Sequence, residues 1–346
     1  MINALSVAGY KSISSEVFDF KKLVVFTGVN SSGKSTVLQS LLLAGIFSEN
    51  IKNGSLSDYV DNFSDFSFSR NKIANSRLIE IGVSSPSGVT KINWSESESN
   101  VECIDGGAEL DFEKEIYYLS AHRTGPEELA IYNGKVKCGL NGEYLFGFFD
   151  QHKDDIYDIG DFKSKDSLTL KSQLNWWLQY ILDIDITLQS QKITSSKVKV
   201  SFSSGTLSEL NPFNVGAGNS YVAKILILCL SCNKGDSIII ENPEIHLHPK
   251  AQAKLGEFFY YLAKNEVQVI LETHCEHLIN KVRYEAYKDD AYDDLVGIFY
   301  KKDSGQLFEK IAINKAGSFV DEKGLKVSFP TGFFDSTLEN LMELPL

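Results

Sequence analysis

Leu23-Val24-Val25-Phe26-Thr27-Gly28-Val29-Asn30-Ser31-Ser32-Gly33-Lys34-Ser35-Thr36-Val37-Leu38 is the stretch that decides how the rest of the chain is read. Its first five residues are apolar or β-branched, the pattern of a buried strand. A Gly/Ser-rich turn follows, and an apolar helical pattern runs over residues 34–47. Gly28 to Ser35 matches G-x-x-x-x-G-K-[ST] in full. Glycines let a backbone wrap closely around phosphate, while successive N–H groups and a helix N-terminus offer partial positive charge. Asn30, Ser31, Ser32, Gly33, Lys34, Ser35 and Thr36 are therefore the expected phosphate cradle. Lys34 is placed to reach the β- and γ-phosphates of ATP, and the Ser35 hydroxyl to ligate Mg²⁺. A bare string match of this kind carries weight only between a strand and a helix, and both patterns are present here.

A phosphate loop needs an acid on a neighbouring strand to hold the metal through water. Ser237-Ile238-Ile239-Ile240-Glu241-Asn242-Pro243-Glu244 is a short β-branched run ending in a carboxylate. Glu241 thus joins Ser35 as the expected metal pair, and Glu244 is placed to poise a water. The next strand pattern, Val267 to Leu271, ends in Glu272-Thr273-His274-Cys275-Glu276-His277. A histidine just past such a strand can hydrogen-bond a γ-phosphate, so His274 is the candidate, with Glu272 as an alternative base to Glu244. His246, His248, His274 and His277 could also be read, with the glutamates, as a transition-metal cluster. H-x-H followed by H-x-x-H is not a zincin spacing, however, and Pro249 disturbs a helix there.

These strings resemble the prokaryotic AAA_15/AAA_21-type ATPases with a DUF3696 segment, overcoming-lysogenization-defect-like relatives of the ABC and SMC ATPases. The resemblance rests on the phosphate loop, on Glu241 to Pro249 (E-N-P-E-I-H-L-H-P) and on Glu272 to Ile279 (E-T-H-C-E-H-L-I). Tyr118-Leu119-Ser120-Ala121-His122-Arg123-Thr124-Gly125-Pro126 resembles that family's strand end, and Phe329-Pro330-Thr331-Gly332-Phe333-Phe334-Asp335 its closing segment. Asn214-Val215-Gly216-Ala217-Gly218-Asn219-Ser220 resembles a degenerate ABC signature. The resemblance implies an α/β fold of ABC-ATPase head type: a central, mostly parallel sheet, an antiparallel β subdomain and an inserted helical lobe. It implies a homodimer or higher oligomer that sandwiches ATP, with Gly216, Gly218 and Ser220 facing the partner's γ-phosphate and His274 as switch histidine. Two departures stand out. Asn242 occupies the position after the metal acid where ABC ATPases carry their catalytic glutamate, so either Glu244 or Glu272 takes that role or hydrolysis is slow. The signature also lacks Ser-Gly-Gly. Arg123 reads equally as a nucleotide neighbour and as a structural ion pair.

Around these motifs, strand patterns fall at residues 4–10, 78–83, 91–95, 115–120 and 197–203, and helices at 168–182 and 249–264. Strands alternating with helices indicate a parallel sheet with helices on its faces. The expected divisions are an ATPase lobe over 1–123, an inserted helical and signature lobe over 124–210, and a second ATPase lobe over 211–346. No heptad run long enough for a coiled-coil arm is present. Trp176 and Trp177 sit side by side on the helical pattern, either as core or as a docking surface.

The chain has 346 residues, 43% of them hydrophobic, and a formal net charge of −12. An acidic chain does not attract nucleic acid over its whole surface, so any DNA or RNA contact needs a local basic patch, and none stands out. The longest apolar stretch, 222–230, is interrupted by Lys224 and is too short to span a bilayer. The N-terminus has neither the basic nor the apolar region of a signal peptide. A cytoplasmic protein away from membranes is the expectation. Cys229 and Cys232 form a C-x-x-C inside an apolar segment and read as core cysteines. Two functions compete. One is an ATP-driven switch regulating a separate nuclease or toxin effector in prokaryotic anti-phage defence. The other is an ATP-dependent enzyme that processes DNA directly. The 70 residues after Glu276 lack the acidic pattern of a Toprim nuclease, which favours the switch.

Overall fold

A computed structural model describes residues 1–53, 65–108, 110–291, 295–302 and 307–327. The closing segment at Phe329 to Asp335 and the acids Asp293 and Asp294 lie outside the described residues. The chain divides into two compact units, one formed by Met1–Phe112 with Glu272–Leu346 and the other by Glu113–Leu271.

The first unit opens with β1 (Ala4–Tyr10), β2 (Ile13–Asp19), β3 (Leu23–Gly28), α1 (Lys34–Asn53), α2 (Phe66–Ser69), β4 (Ile79–Ser85), β5 (Gly88–Trp94) and β6 (Ser99–Ile104). The second holds β7 (Ile116–Leu119), β8 (Leu129–Ile131), α3 (Leu145–His152), α4 (Leu170–Leu182), β9 (Thr187–Lys192), β10 (Lys197–Ser204), β11 (Leu207–Leu210), α5 (Ala217–Leu230), β12 (Ser237–Glu241), α6 (Pro249–Lys264) and β13 (Gln268–Glu272). The chain then returns to the first unit with α7 (Glu276–Lys288), β14 (Val296–Lys301), β15 (Glu309–Ile313) and β16 (Phe319–Val320).

Within the first unit, β3 pairs in parallel with β14, which pairs antiparallel with β15. Every residue of β3 is buried, as a continuous apolar run demands. Phe26 lies in an aromatic cluster, 5.1 Å from Phe299, 5.4 Å from Phe18 and 5.7 Å from Phe308. The stacked Phe299 pair and the edge-to-face Phe18 and Phe308 pairs add to area burial and fix the ring positions. They anchor the strand that leads into the phosphate loop. The same unit carries an all-antiparallel sheet in the order β2-β1-β4-β5-β6. The expected hairpin at residues 78–95 is its β4–β5 pair, with Ile81 opposite Ile92.

In the second unit β12 pairs in parallel with β7, Ile239 opposite Tyr118, and β13 lies on the other side of β12. The fold is α/β with mixed sheets, parallel at β7–β12 and β3–β14 and antiparallel at β14–β15 and through the β2-β1-β4-β5-β6 sheet. Between β7 and α5 the helix expected over 168–182 is present as α4, preceded by α3, which the sequence did not reveal, and both share the region with the antiparallel strands β8 to β11. Leu188, Val198, Val200 and Phe202 bury one face of those strands. Trp177 is buried against Phe258 at 4.8 Å, while Trp176 stays half-buried and stacks on Tyr180. Cys138, Cys229 and Cys232 are buried free thiols, and burial pushes the Cys232 thiol up to about 12. They pack as small apolar groups.

Candidate functional site

The phosphate loop leaves β3 at Gly28, whose φ is +135°, and turns through Ser31 at +60° and Gly33 at +100° before α1 begins at Lys34. A side chain at Gly28 would place its Cβ 2.2 Å from the Lys301 carbonyl, so backbone approach as well as dihedral requires glycine there. The Val29 N–H donates to that same carbonyl at 3.2 Å. Asn30 and Ser31 are exposed, Gly33 and Ser35 half-buried, and Ser32 and Thr36 buried. Lys34 is buried and donates to the Val29 carbonyl at 2.8 Å and the Gly28 carbonyl at 3.3 Å. Burial lowers its pKa, and the charge of Glu272 acts in the opposite direction.

Glu272 ends β13 and opens the second segment of this unit. The next residue, Thr273, donates its N–H to the Phe26 carbonyl at 3.1 Å, which fixes Glu272 beside the loop. Ser35 Oγ donates to Glu272 Oε1 at 2.9 Å. His274 hydrogen-bonds the Gly28 backbone, and its pKa lies below the ordinary histidine value. Burial is the main cause and the Lys34 charge adds to it, whereas the Gly28 hydrogen bond works the other way. One ammonium, one hydroxyl, one carboxylate and one imidazole therefore converge on the loop. A triphosphate with Mg²⁺ fits this donor set: a buried cation held by two loop carbonyls and the Ser32 hydroxyl beside one acid, a helix N-terminus, and a hydroxyl beside a carboxylate.

Glu241 and its neighbours are built within the other unit. Glu241 is buried at the end of β12. Its Oε1 accepts from the Tyr118 hydroxyl and its Oε2 from the Ala121 N–H at 2.9 Å. Arg123, expected either near nucleotide or in an ion pair, braces the backbone instead. Its guanidinium donates to the Glu241 carbonyl at 2.8 Å, the Asn242 carbonyl at 2.7 Å and the Ser120 carbonyl at 3.2 Å. It also lies 5.5 Å from the centre of the Tyr221 ring. Burial pushes its pKa down to about 10, resisted by Glu244, Tyr221 and Glu241. These carbonyl contacts help hold Asn242 at its left-handed φ of +42°. Glu244 is half-buried in the turn that follows.

Two histidines of the 241–249 segment have local roles. His248 caps α6, its Nδ1 accepting from the Lys250 N–H at 3.3 Å. His246 has φ +64° and stacks its ring on Tyr221 at 4.8 Å. Gly218 sits against this turn, where a Cβ would come within 2.9 Å of the His246 carbonyl. Gly216 is exposed and caps α5 without a side-chain hydrogen bond. Ser220, expected to face a partner, is instead wholly buried, with no hydrogen-bond partner for its Oγ among the described residues. It lies one turn into α5, where the helix faces the core. The exposed positions are Phe213, Asn214 and Gly216. Sequence reasoning missed Tyr118 and Ala121 as holders of Glu241, although both lie in a stretch singled out for other reasons.

Residues 142–280 match the AAA_21 family, described as "AAA domain, putative AbiEii toxin, Type IV TA system". The matched segment contains Gly216 to Ser220, Glu241, Glu244, Glu272 and His274 and starts after the phosphate loop, which is recognised by its own motif. No curated protein sequence matches the chain. Among solved structures, the chain is similar to an SmcHead bound to the C-winged helix domain of ScpA, at 12% identity and a TM-score of 0.58, covering 91% of this chain and 98% of that one. It is also similar to an Smc head domain with an extended coiled coil bound to the C-terminal domain of ScpA, from Pyrococcus furiosus, at 10% identity and a TM-score of 0.54, covering 99% and 98%. The AAA_21 segment is thus set in a fold of SMC-head type. Among the described residues no helix is long and apolar enough to cross a membrane.

Proposed function

We propose that this chain binds ATP with Mg²⁺ at the phosphate loop, hydrolyses it, and passes its nucleotide state to a separate effector protein. The observation that carries the reading is the convergence of Lys34, Ser35, Glu272 and His274 on a loop with the full G-x-x-x-x-G-K-S motif. Bound Mg²⁺ would neutralise charge on the phosphates and orient them. Lys34 exchanges its loop carbonyls for phosphate oxygens, and the first turn of α1 offers its N–H groups. Ser35 serves the metal and His274 senses the γ-phosphate; by their sequence motif Glu241 is the metal acid and Glu244 the residue that orients the attacking water. The Asn214–Gly216 lip and the uncapped α5 N-terminus are the surface offered to a second copy around ATP. The reading extends to an effector of toxin or nuclease type in antiviral defence; the matched family's description supports its toxin–antitoxin setting.

The test is equilibrium binding of a fluorescent ATP analogue together with phosphate release. Lys34→Ala should weaken binding by about 10²-fold or more, a loss of roughly 3 kcal/mol. Glu244→Gln should keep binding and slow release by about 10²-fold. ATP should convert the Glu244→Gln protein from monomer to dimer in sedimentation. A wild-type protein with no ATP binding would end the ATP reading. Degradation of DNA or RNA by the isolated protein, abolished by Glu241→Gln, would replace the switch with a direct enzyme.

A further inference from the structure

Two carboxylates end neighbouring strands of the motif region, and their partners differ. Glu241 accepts from two neutral donors, the Tyr118 hydroxyl and the Ala121 N–H. Glu272 accepts from Ser35, the phosphate-loop hydroxyl that ligates Mg²⁺ in proteins with this motif. We propose that Glu272, through its hydrogen bond with Ser35, is the principal acid positioning the divalent cation of the nucleotide. This deepens the ATP reading above and rests on it.

The direction of the hydrogen bond matters. A serine that donates its only proton to a carboxylate turns its oxygen lone pairs away from that carboxylate, where a cation can take one. Glu272 therefore orients Ser35 as a ligand while its own oxygens remain able to accept from metal-bound water. Magnesium keeps several waters and uses only one or two carboxylates alongside phosphate. One acid beside one hydroxyl suits that demand. Among the described residues no group of three or more His, Cys, Asp or Glu could hold a metal without help from phosphate. The ion's affinity should accordingly appear only with nucleotide.

The placement of Glu272 is built into the backbone. It is 5% exposed and closes β13. Thr273, fully buried, ties its N–H to Phe26 of β3, and its Oγ1 accepts from the Cys275 N–H at 3.0 Å. Glu272 is thus held by strand register, and its negative charge also supports the ammonium of Lys34 one residue before Ser35. It is a positioning residue: it acts on the ion through Ser35 and through water.

The experiment measures the affinity of a fluorescent ATP analogue in excess Mg²⁺ and in EDTA, for the wild-type chain, Glu272→Gln and Glu241→Gln. The readout is the factor by which Mg²⁺ tightens binding. Glu272→Gln is isosteric and keeps an acceptor for Ser35, so affinity in EDTA should be retained or improved by loss of a negative charge. The Mg²⁺ factor should fall by about tenfold or more. Glu241→Gln should lose less of it. Ser35→Ala should abolish most of the same factor, and adding Glu272→Gln to it should cost little more, because the two act as one unit. A Mg²⁺ factor unchanged in Glu272→Gln, or reduced equally or more in Glu241→Gln, overturns the assignment while leaving ATP binding in place. A wild-type chain that binds no analogue overturns both.

Discussion

The ends of β3 and β12 each bury charged groups at a strand terminus, and they satisfy them in opposite ways. At the end of β3, Lys34 lies on the carbonyls of its own loop and beside Glu272, while Ser35 donates to the same acid. Each of these partners can be exchanged for a ligand oxygen without breaking a strand. At the end of β12 the donors hold the backbone itself. Arg123 spends its guanidinium on the carbonyls of Glu241, Asn242 and Ser120, and Tyr118 with the Ala121 N–H fixes the Glu241 carboxylate. The first arrangement suits a site that must trade partners when a phosphate arrives. The second suits a fixed scaffold that keeps an acid oriented and a strained turn in place, as Asn242 at φ +42° requires.

The sharpest way to break this contrast is to remove the brace. Arg123→Ala leaves the Glu241 and Asn242 carbonyls without their charged donor in a buried setting, which should cost about 3 kcal/mol of stability. Thermal and denaturant melts would measure it. Arg123→Lys should recover only part of the loss, because a single ammonium cannot reproduce a planar fork aimed at three carbonyls. Wild-type stability in Arg123→Ala would mean that the β12 end is not a scaffold. Tyr118→Phe is the milder probe. It removes one hydrogen bond to a buried carboxylate and should cost about 1.5–2 kcal/mol while leaving the Arg123 contacts intact. Because Ala121 still holds the other oxygen, nucleotide affinity in the absence of Mg²⁺ should not change.

The two ends also differed in how far they could be read from sequence. The phosphate loop is local: strand, glycine, lysine, serine and helix are contiguous, so Lys34 and Ser35 could be assigned from spacing alone. The brace is not. Arg123 and Asn242 are 119 positions apart, and nothing in either segment's periodicity reveals that a guanidinium meets two carbonyls. Ser220 fits a signature string, but a string does not say which face of α5 is buried, and the helix turns that hydroxyl inward. Similar reasoning applies to the strands. β3 and β12 are continuous apolar runs, buried along their whole length, and stood out at once. β6 (Ser-Asn-Val-Glu-Cys-Ile) and β11 (Leu-Ser-Glu-Leu) are mostly exposed strands at the ends of their sheets. Cross-strand pairing, rather than their own residues, makes them strands, and propensity does not record that.

The smallest effect, and the finest probe of the exchangeable end, is the titration of His274. Burial and the neighbouring Lys34 charge both hold its pKa below the ordinary histidine value of about 6.5, against the pull of the Gly28 hydrogen bond. The unfolded chain therefore binds more protons than the folded one between the folded pKa and about 6.5, and stability rises with pH across that window. Above it the contribution is fully present, and as pH falls through the unfolded value toward the folded one it is lost. His274→Asn should flatten this part of the stability–pH curve, as read from denaturant midpoints on either side of pH 6.5 or thereabouts. Lys34→Ala should raise the His274 pKa, since it removes a cation, and an NMR titration of the ring would show the shift directly. A bound triphosphate should raise it further by placing negative charge on the loop. A His274 titration indifferent to both Lys34→Ala and nucleotide would mean that the groups around the β3 end do not share an electrostatic environment, and the contrast with the β12 end would fail there.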